Sequence, residues 1–290
     1  MPKTAGRGFA AWAVRSHRIG PVSYSASPPG VFDPSRPHIA RVYDYLLGGK
    51  DNFASDRAVG DQIIASMPTI QIGVQAQRAL LGRVVRYLAG DAGVRQLIDI
   101  GSGLPTADNV HQTAQRIDPA VRVVYVDNDP VVLAHARALL ADNAATIVVA
   151  GDLRVPAGIL WDTDVRSHLD WDRPIGLLLC GVLHHILDEE EPAGLVAQLC
   201  AALPPGSYVL IHHLLQSGDP AVADVQAALQ QGLGRGKFRT WEEIRSMFAG
   251  LELVEPGLVL VPDWHPDPDT LSARDHPVLR LACAGVGRKP

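Results

Sequence analysis

The chain has only three cysteines in 290 residues, Cys180, Cys200 and Cys283, each among apolar neighbours and without paired spacing. A disulfide-built secreted scaffold is therefore not expected, and a reducing, cytoplasmic compartment is. No apolar run approaches the length of a membrane-spanning helix, so no membrane partner is expected. Basic residues are not in excess: Lys and Arg total 26 against 31 for Asp and Glu, a net charge of −5. A dedicated nucleic-acid binder needs clustered positive charge to meet phosphates, so nucleic acid is not an expected partner. There is no internal repeat.

What is present describes an ordinary globular chain. Hydrophobic residues make up 47% and charged residues 20% of a 31.1 kDa protein, enough to bury a sizeable core in one domain with an added cap. Residues 1 to 32 differ, holding Lys3, Arg7, Arg15 and Arg18 with no acidic residue. They read as a disordered basic tail, placed over 1–33. The remainder, 34–290, reads as one domain: a helical cap over 34–92, then an α/β core over 93–290 with a late insertion on the substrate side.

The cap pattern rests on Ile39, Val42, Tyr43, Leu46 and Leu47 at helical spacing, stopped by Gly48-Gly49. Two further helical patterns cover Ala58 to Met67 and Gln75 to Leu88. Strand patterns then fall at 96–100, 121–126, 146–150, 175–180 and 207–213. Helical patterns alternate with them at 106–116, 130–142, 190–202 and 219–232. That alternation predicts a doubly wound, mostly parallel sheet. A helix from Trp241 to Phe248 and late strands near Leu251–Val254, Leu258–Val261 and Leu279–Ala284 follow.

The most informative segment runs from Leu97 to Thr106. A buried strand ends in Asp99-Ile100 and turns on Gly101-Ser102-Gly103 into a helix. Such turns at the carboxyl edge of a parallel sheet are where nucleotide-like cofactors bind. The next strand ends in Asp127, placed to accept hydrogen bonds from ribose hydroxyls. The third ends in Gly151-Asp152-Leu153, an acid suited to an adenine amino group and an apolar residue suited to a ring face. A dinucleotide site keeps a third glycine for helix packing, and Pro105-Thr106 stands there instead. The combination favours S-adenosylmethionine over a dinucleotide.

Several other runs are open to structural readings. His184 follows the fourth strand and is either a general base toward a methyl acceptor or a helix-capping or buried residue, and the structural reading is preferred for His185. His212-His213 point to opposite faces of a strand, so no metal site is assigned there. The acidic run Asp188 to Glu191 is expected to load a helix N-terminus with favourable charge. Trp264 to Pro268 is expected to form a rigid loop, structural or lining the acceptor site.

Residues 38–57, from His38 through Arg57 with Tyr43, Gly48, Gly49 and Asn52, strongly resemble an actinobacterial-type family of S-adenosylmethionine-dependent methyltransferases, once catalogued as a domain of unknown function. The resemblance continues through Asp99–Thr106, Asn109–Gln112, Val124–Val132, Asp152–Arg154, Val182–His184, Pro205–Tyr208 and Gly285–Lys289. It implies a class I methyltransferase fold, Rossmann-like, with seven strands and a closing antiparallel one. It also implies S-adenosyl-L-methionine as cofactor, held by Gly101, Ser102, Gly103, Asp127, Asn128, Asp152, Leu153 and Gly181. The N-terminal block would fold over it, bringing Tyr43, Gly48, Gly49 and Asn52 to the methionine end; the alternative is a packed cap whose Gly-Gly merely stops a helix. Two departures stand out: Gln77 where the family pattern suggests Asn, and His185 where an aromatic is more usual. Methyl transfer to a small-molecule acceptor is expected. A non-catalytic binder of the same cofactor and a nicotinamide oxidoreductase are the alternatives.

Overall fold

The computed structural model describes residues 32–106, 108–139, 143–268 and 275–290; the expected basic tail lies outside them except for its last two residues. Helices α1 (Ile39–Leu46), α2 (Ala54–Ser66) and α3 (Ile70–Arg86) precede strand β1 (Gln96–Ile100). There follow α4 (Val110–Gln115), β2 (Arg122–Asp127), α5 (Pro130–Leu139) and β3 (Thr146–Ala150). The chain continues through α6 (Pro156–Leu160), α7 (Thr163–His168), β4 (Gly176–Cys180), α8 (Pro192–Ala202) and β5 (Tyr208–Leu214). It closes with α9 (Pro220–Leu233), α10 (Trp241–Ser246), β6 (Glu252–Leu253), β7 (Val259–Leu260) and β8 (Ala282–Arg288).

The strands form one sheet in the order β3-β2-β1-β4-β5-β8-β6, with β7 also paired to β8. β1 to β5 are mutually parallel, and β8 is antiparallel to β5. β6 lies opposite Arg288 and Gly287, while β7 lies opposite Ala284 and Cys283. Both occupy the edge of β8 away from β5, so the sheet has seven positions with the last one split. This is the doubly wound, mostly parallel sheet that the alternation of strands and helices predicts, closed by an antiparallel strand.

Strand sequence explains burial on both faces. Ile98, Val124, Leu177 and Ile211 point into one core with residues of α6, α8 and α10. Leu97, Val123, Leu178 and Leu210 point into the other, under α3 and α4. Continuous apolar runs of this kind are what a sheet covered on both sides demands. A third cluster joins α1, α2 and α9 with Phe238, Val278 and Leu279. α3 serves two layers: Val74 belongs to that third cluster, whereas Leu80, Leu81, Val84 and Val85 cover the sheet.

Three local expectations are corrected. The last strand runs over 282–288 rather than 279–284, because Pro277–Leu281 forms a 3-10 turn whose Val278 and Leu279 are buried. The connection after β3 carries two short helices, α6 and α7, that the sequence pattern did not reveal. Asp188–Glu190 forms its own 3-10 turn, and α8 begins only after Glu191 at φ 52°. Of the acidic run only Glu191 stands at that helix terminus, as its N-cap residue without a side-chain cap bond.

Candidate active site

The glycine turn follows β1 directly. Gly101 and Gly103 have φ of 73° and 68°, a region that side chains with a Cβ rarely adopt. A Cβ at Gly101 would also stand 2.7 Å from the Val182 side chain. The Gly101 and Ser102 amides donate to the Val126 carbonyl at 2.8 and 3.2 Å, tying the turn to β2. The Gly103 amide donates to Asp127 Oδ2 at 2.9 Å, and the Asp129 amide to Oδ1 at the same distance. Asp127 is 6% exposed; burial raises its pKa, against the pull of those two donors. A carboxylate has about four acceptor positions, so two bonds do not exhaust it.

At the neighbouring tips, Asn128 Nδ2 lies 3.4 Å from Asp152 Oδ2. Asp152 also accepts from the Arg154 amide and guanidinium. Burial pushes its carboxyl up, but those bonds prevail and hold it below the usual range. Leu153 is buried in the core on that side of the sheet.

Asp99 is the residue the sequence reading left without a role. It sits at the β1 tip, 4% exposed, and forms no hydrogen bond or ion pair among the described residues. Burial pushes its carboxyl up to about 7, opposed by the charge of Arg78 and reinforced by Asp127. Arg78 reaches down from α3, its Nη2 donating to Thr106 Oγ1 and to the Asp108 carbonyl at 3.3 Å. The neighbouring Gln77 crosses to the β4 tip, where a Cβ on Gly181 would meet its Nε2. Burial pushes the Cys180 thiol at that tip up to about 12. Tyr43 of α1 is close enough to Cys180 and Arg78 to feel both, and its hydroxyl donates to the Val74 carbonyl at 3.3 Å.

α1 is bolted to this edge by charge. Arg41 donates to Asp56 at 3.0 Å and to Asp129 at 2.9 Å, with all three side chains buried. His38 Nδ1 lies 2.9 Å from the same Asp129 and 3.3 Å from the Ala40 amide. Ala40, Leu104 and Val132 pack together, placing α1 against the glycine turn. After α1 the chain folds back on itself. A Cβ at Gly49 would stand 2.0 Å from Asp44 Oδ1, which explains the glycine. Asp44 Oδ2 accepts from the Asp51 amide and from Asn52 Nδ2, at 2.9 and 2.8 Å. Asn52 Nδ2 also donates to the Gly49 carbonyl at 3.1 Å, while Oδ1 accepts from Arg57 at 3.2 Å. The amide expected at the methionine end is thus committed to its own loop.

The loop after β4 carries His184 and His185 in a 3-10 turn, their rings 4.0 Å apart. Both are buried, and His184 Nδ1 and His185 Nε2 lack partners. Burial first, then the neighbouring His185, His213, His212 and Arg239, lowers His184 well below its ordinary value. His213 sits 6.0 Å from the His184 ring; its Nδ1 donates to the Leu214 carbonyl and its Nε2 accepts from Arg239 at 3.1 Å. Arg239 also donates to the Ile186 carbonyl and to Asp188, and Arg235 pairs with Glu190. The acidic run is held by these cations. Trp264 is fully buried under α3, with Arg83 donating to its carbonyl, so that loop is structural. No group of three His, Cys, Asp or Glu side chains among the described residues is arranged to hold a metal ion.

The family described as S-adenosyl methyltransferase matches residues 25–290. The chain belongs to this family. It is similar to the crystal structure of a presumed methyltransferase from Thermobifida fusca, at 45% identity over 91% of this chain and 99% of that one, with a TM-score of 0.83. A DUF574 family protein from Streptomyces avermitilis is 39% identical over 89% of this chain and 99% of its own, with a TM-score of 0.85. No curated protein matches it in sequence. The methyltransferase therefore uses S-adenosylmethionine, and the nicotinamide alternative falls. No helix among the described residues is long and apolar enough to cross a membrane.

Proposed function

We propose that this methyltransferase transfers a methyl group to a small-molecule acceptor from a cofactor seated across the tips of β1, β2 and β4. The observation that carries the seating is Asp99, a buried carboxylate with no partner beside the glycine turn. A buried acid of this kind is costly unless a cation pairs with it, and the α-ammonium of S-adenosylmethionine is such a cation. Asp127 would take the ribose hydroxyls, Asn128 and Asp152 the adenine edge, and Gly101, Ser102 and Gly103 the close backbone approach. Tyr43 and Gly181 lie on the methionine side. Gly48, Gly49 and Asn52 would act through loop shape, given how fully Asn52 is bonded within the loop.

When bound, S-adenosylmethionine supplies an electrophilic methyl on its sulfonium. The protein's task is then to orient an acceptor in line with it and to exclude water, which can account for roughly 7–11 kcal/mol of barrier. The cluster of α1, α2 and α9 would wall the acceptor side, which favours a small molecule over a polymer. His184 would take a proton from the acceptor through its Nδ1, which has no partner in the fold.

The test is His184→Ala, with acceptors found by radiolabelled methyl incorporation. Loss of a general base should cut turnover by roughly 10²–10⁴ while cofactor affinity stays within about twofold. A destabilised variant with full turnover per folded molecule would make His184 structural.

A further inference from the structure

A base that keeps Nδ1 free for a substrate has to be aimed by something other than that nitrogen. For His184 the aim comes from the segment 235–239, between α9 and α10, whose contacts alternate. On one side the Gly236 carbonyl accepts from Gln230 at 2.8 Å, the Phe238 amide donates to Gln226 at 2.7 Å, and the Phe238 ring joins the third cluster. On the other side Arg235 donates to the His185 carbonyl at 3.1 Å and the Lys237 amide to the His184 carbonyl at 2.8 Å. Arg239 donates to the Leu183 and Ile186 carbonyls at 3.3 and 2.8 Å, so every carbonyl from Leu183 to Ile186 accepts from this segment. Arg239 alone among these also reaches a ring. Its Nη1 stands 3.1 Å from His213 Nε2 and cannot accept, which leaves the His213 proton on Nδ1, 2.8 Å from the Leu214 carbonyl. That ring is edge-on to His184. Arg239 is itself buried, with its amide and carbonyl bonded to Leu214 and Gln216 at the end of β5.

We propose that Arg239 is the positioning residue of the methyl-transfer site: its guanidinium grips the turn on both sides of His184 and His185 and locks His213 in one tautomer, so that His184 faces the acceptor with Nδ1 free. The proposal rests on the reading of His184 given above. A guanidinium suits this task because its donors lie in a rigid planar fork, which a lysine ammonium does not reproduce. The fork ties together the turn after β4, the tip of β5 and, through Asp188, the start of the acidic run. Arg239 touches neither cofactor nor acceptor. Its effect is on where the base stands, and a misplacement of about 1 Å can cost roughly 10²-fold in rate.

The experiment compares the full-length protein with Arg239→Met and Arg239→Lys, using heteronuclear NMR of the histidine rings, with His184→Ala and His213→Ala to assign the signals. Calorimetry with S-adenosylhomocysteine shows that each variant is folded. Wild-type His213 should show a single tautomer with its proton on Nδ1, and both Arg239 variants should lose it. Turnover of labelled S-adenosylmethionine should fall roughly 10²-fold in kcat, while S-adenosylhomocysteine affinity and the KM for S-adenosylmethionine stay within about twofold. If Arg239→Met does not fold, Arg239→Lys, which keeps the buried charge, carries the test. An unchanged His213 signal in a folded variant, full kcat after the tautomer is lost, or a lysine variant that matches wild type would each overturn the proposal. The His184 reading fails separately, if His184→Ala keeps full turnover while the Arg239 variants lose it.

Discussion

Asp127 holds the glycine turn: its Oδ2 accepts from the Gly103 amide at 2.9 Å, so the β2 carboxylate and the β1 turn are one unit. Removing the carboxylate therefore does two things. Asp127→Ala should weaken S-adenosylhomocysteine binding by at least about tenfold, from lost charged hydrogen bonds to the ribose. It should also cost about 1–3 kcal/mol of stability, because the Gly103 and Asp129 amides lose their acceptor. Calorimetry and denaturant unfolding on one variant check both; undiminished affinity would remove Asp127 from the site.

Cofactor affinity should depend on pH through Asp99. Its carboxyl is pushed up to about 7 by burial, with Arg78 of α3 opposing and Asp127 of β2 assisting. Pairing with an ammonium needs the ionised form, so below that pH binding must first release a proton. Affinity for S-adenosylhomocysteine should fall about tenfold per pH unit on the acid side and level off above it. Asp99→Asn should flatten the profile, and a flat wild-type profile would sink the idea.

Acid should unfold the protein through its buried imidazoles as well as through its surface ion pairs. Burial lowers His185 and His212 to about 3 and His213 to about 4, from an ordinary 6.5. Such groups bind protons more readily unfolded, so their stability contribution is whole above about 6.5 and lost progressively below it. Each removes about 1.4 kcal/mol per pH unit through that window. Asp99 works in the opposite sense, being protonated when folded, and offsets one of them. Urea unfolding from pH 7 to 5 should show a steep net loss; constant stability would contradict neutral buried imidazoles.

Arg41 should matter more to stability than any other cation near the edge. It joins Asp56 and Asp129, both buried, and Arg41→Met would leave Asp56 without a cation and Asp129 with His38 alone. Breaking a buried pair in this way typically costs about 3–5 kcal/mol. A loss below about 1 kcal/mol in chemical denaturation would mean that water replaces the guanidinium.

The parallel half of the fold was legible because each strand is a short apolar run, and the first three end at or beside a carboxylate. Asp99, Asp127 and Asp152 all stand at or beside the carboxyl ends of such runs, and β1 has the expected bounds. α6 and α7 were not legible, because helices of five and six residues have no room for a periodic signal. Leu279 and Leu281 read as strand since a buried 3-10 turn has no pattern of its own. Asn52 was placed at the methionine end by the family resemblance; its bonds to Asp44 and Gly49 depend on the loop's closure.

The split last position of the sheet leaves the outer edge of β8 without a continuous neighbouring strand. β6 and β7 pair with β8 over only two residues each, separated by the turn at Val254–Gly257. An intruding strand needs a long row of free amides and carbonyls in one register, and this border offers two stubs interrupted by a bend. Crowded molecules would find no continuous template there on which to stack. Straightening the turn, for instance by shortening Val254–Leu258 so that one strand runs through, would lengthen that border and invite chain-to-chain pairing.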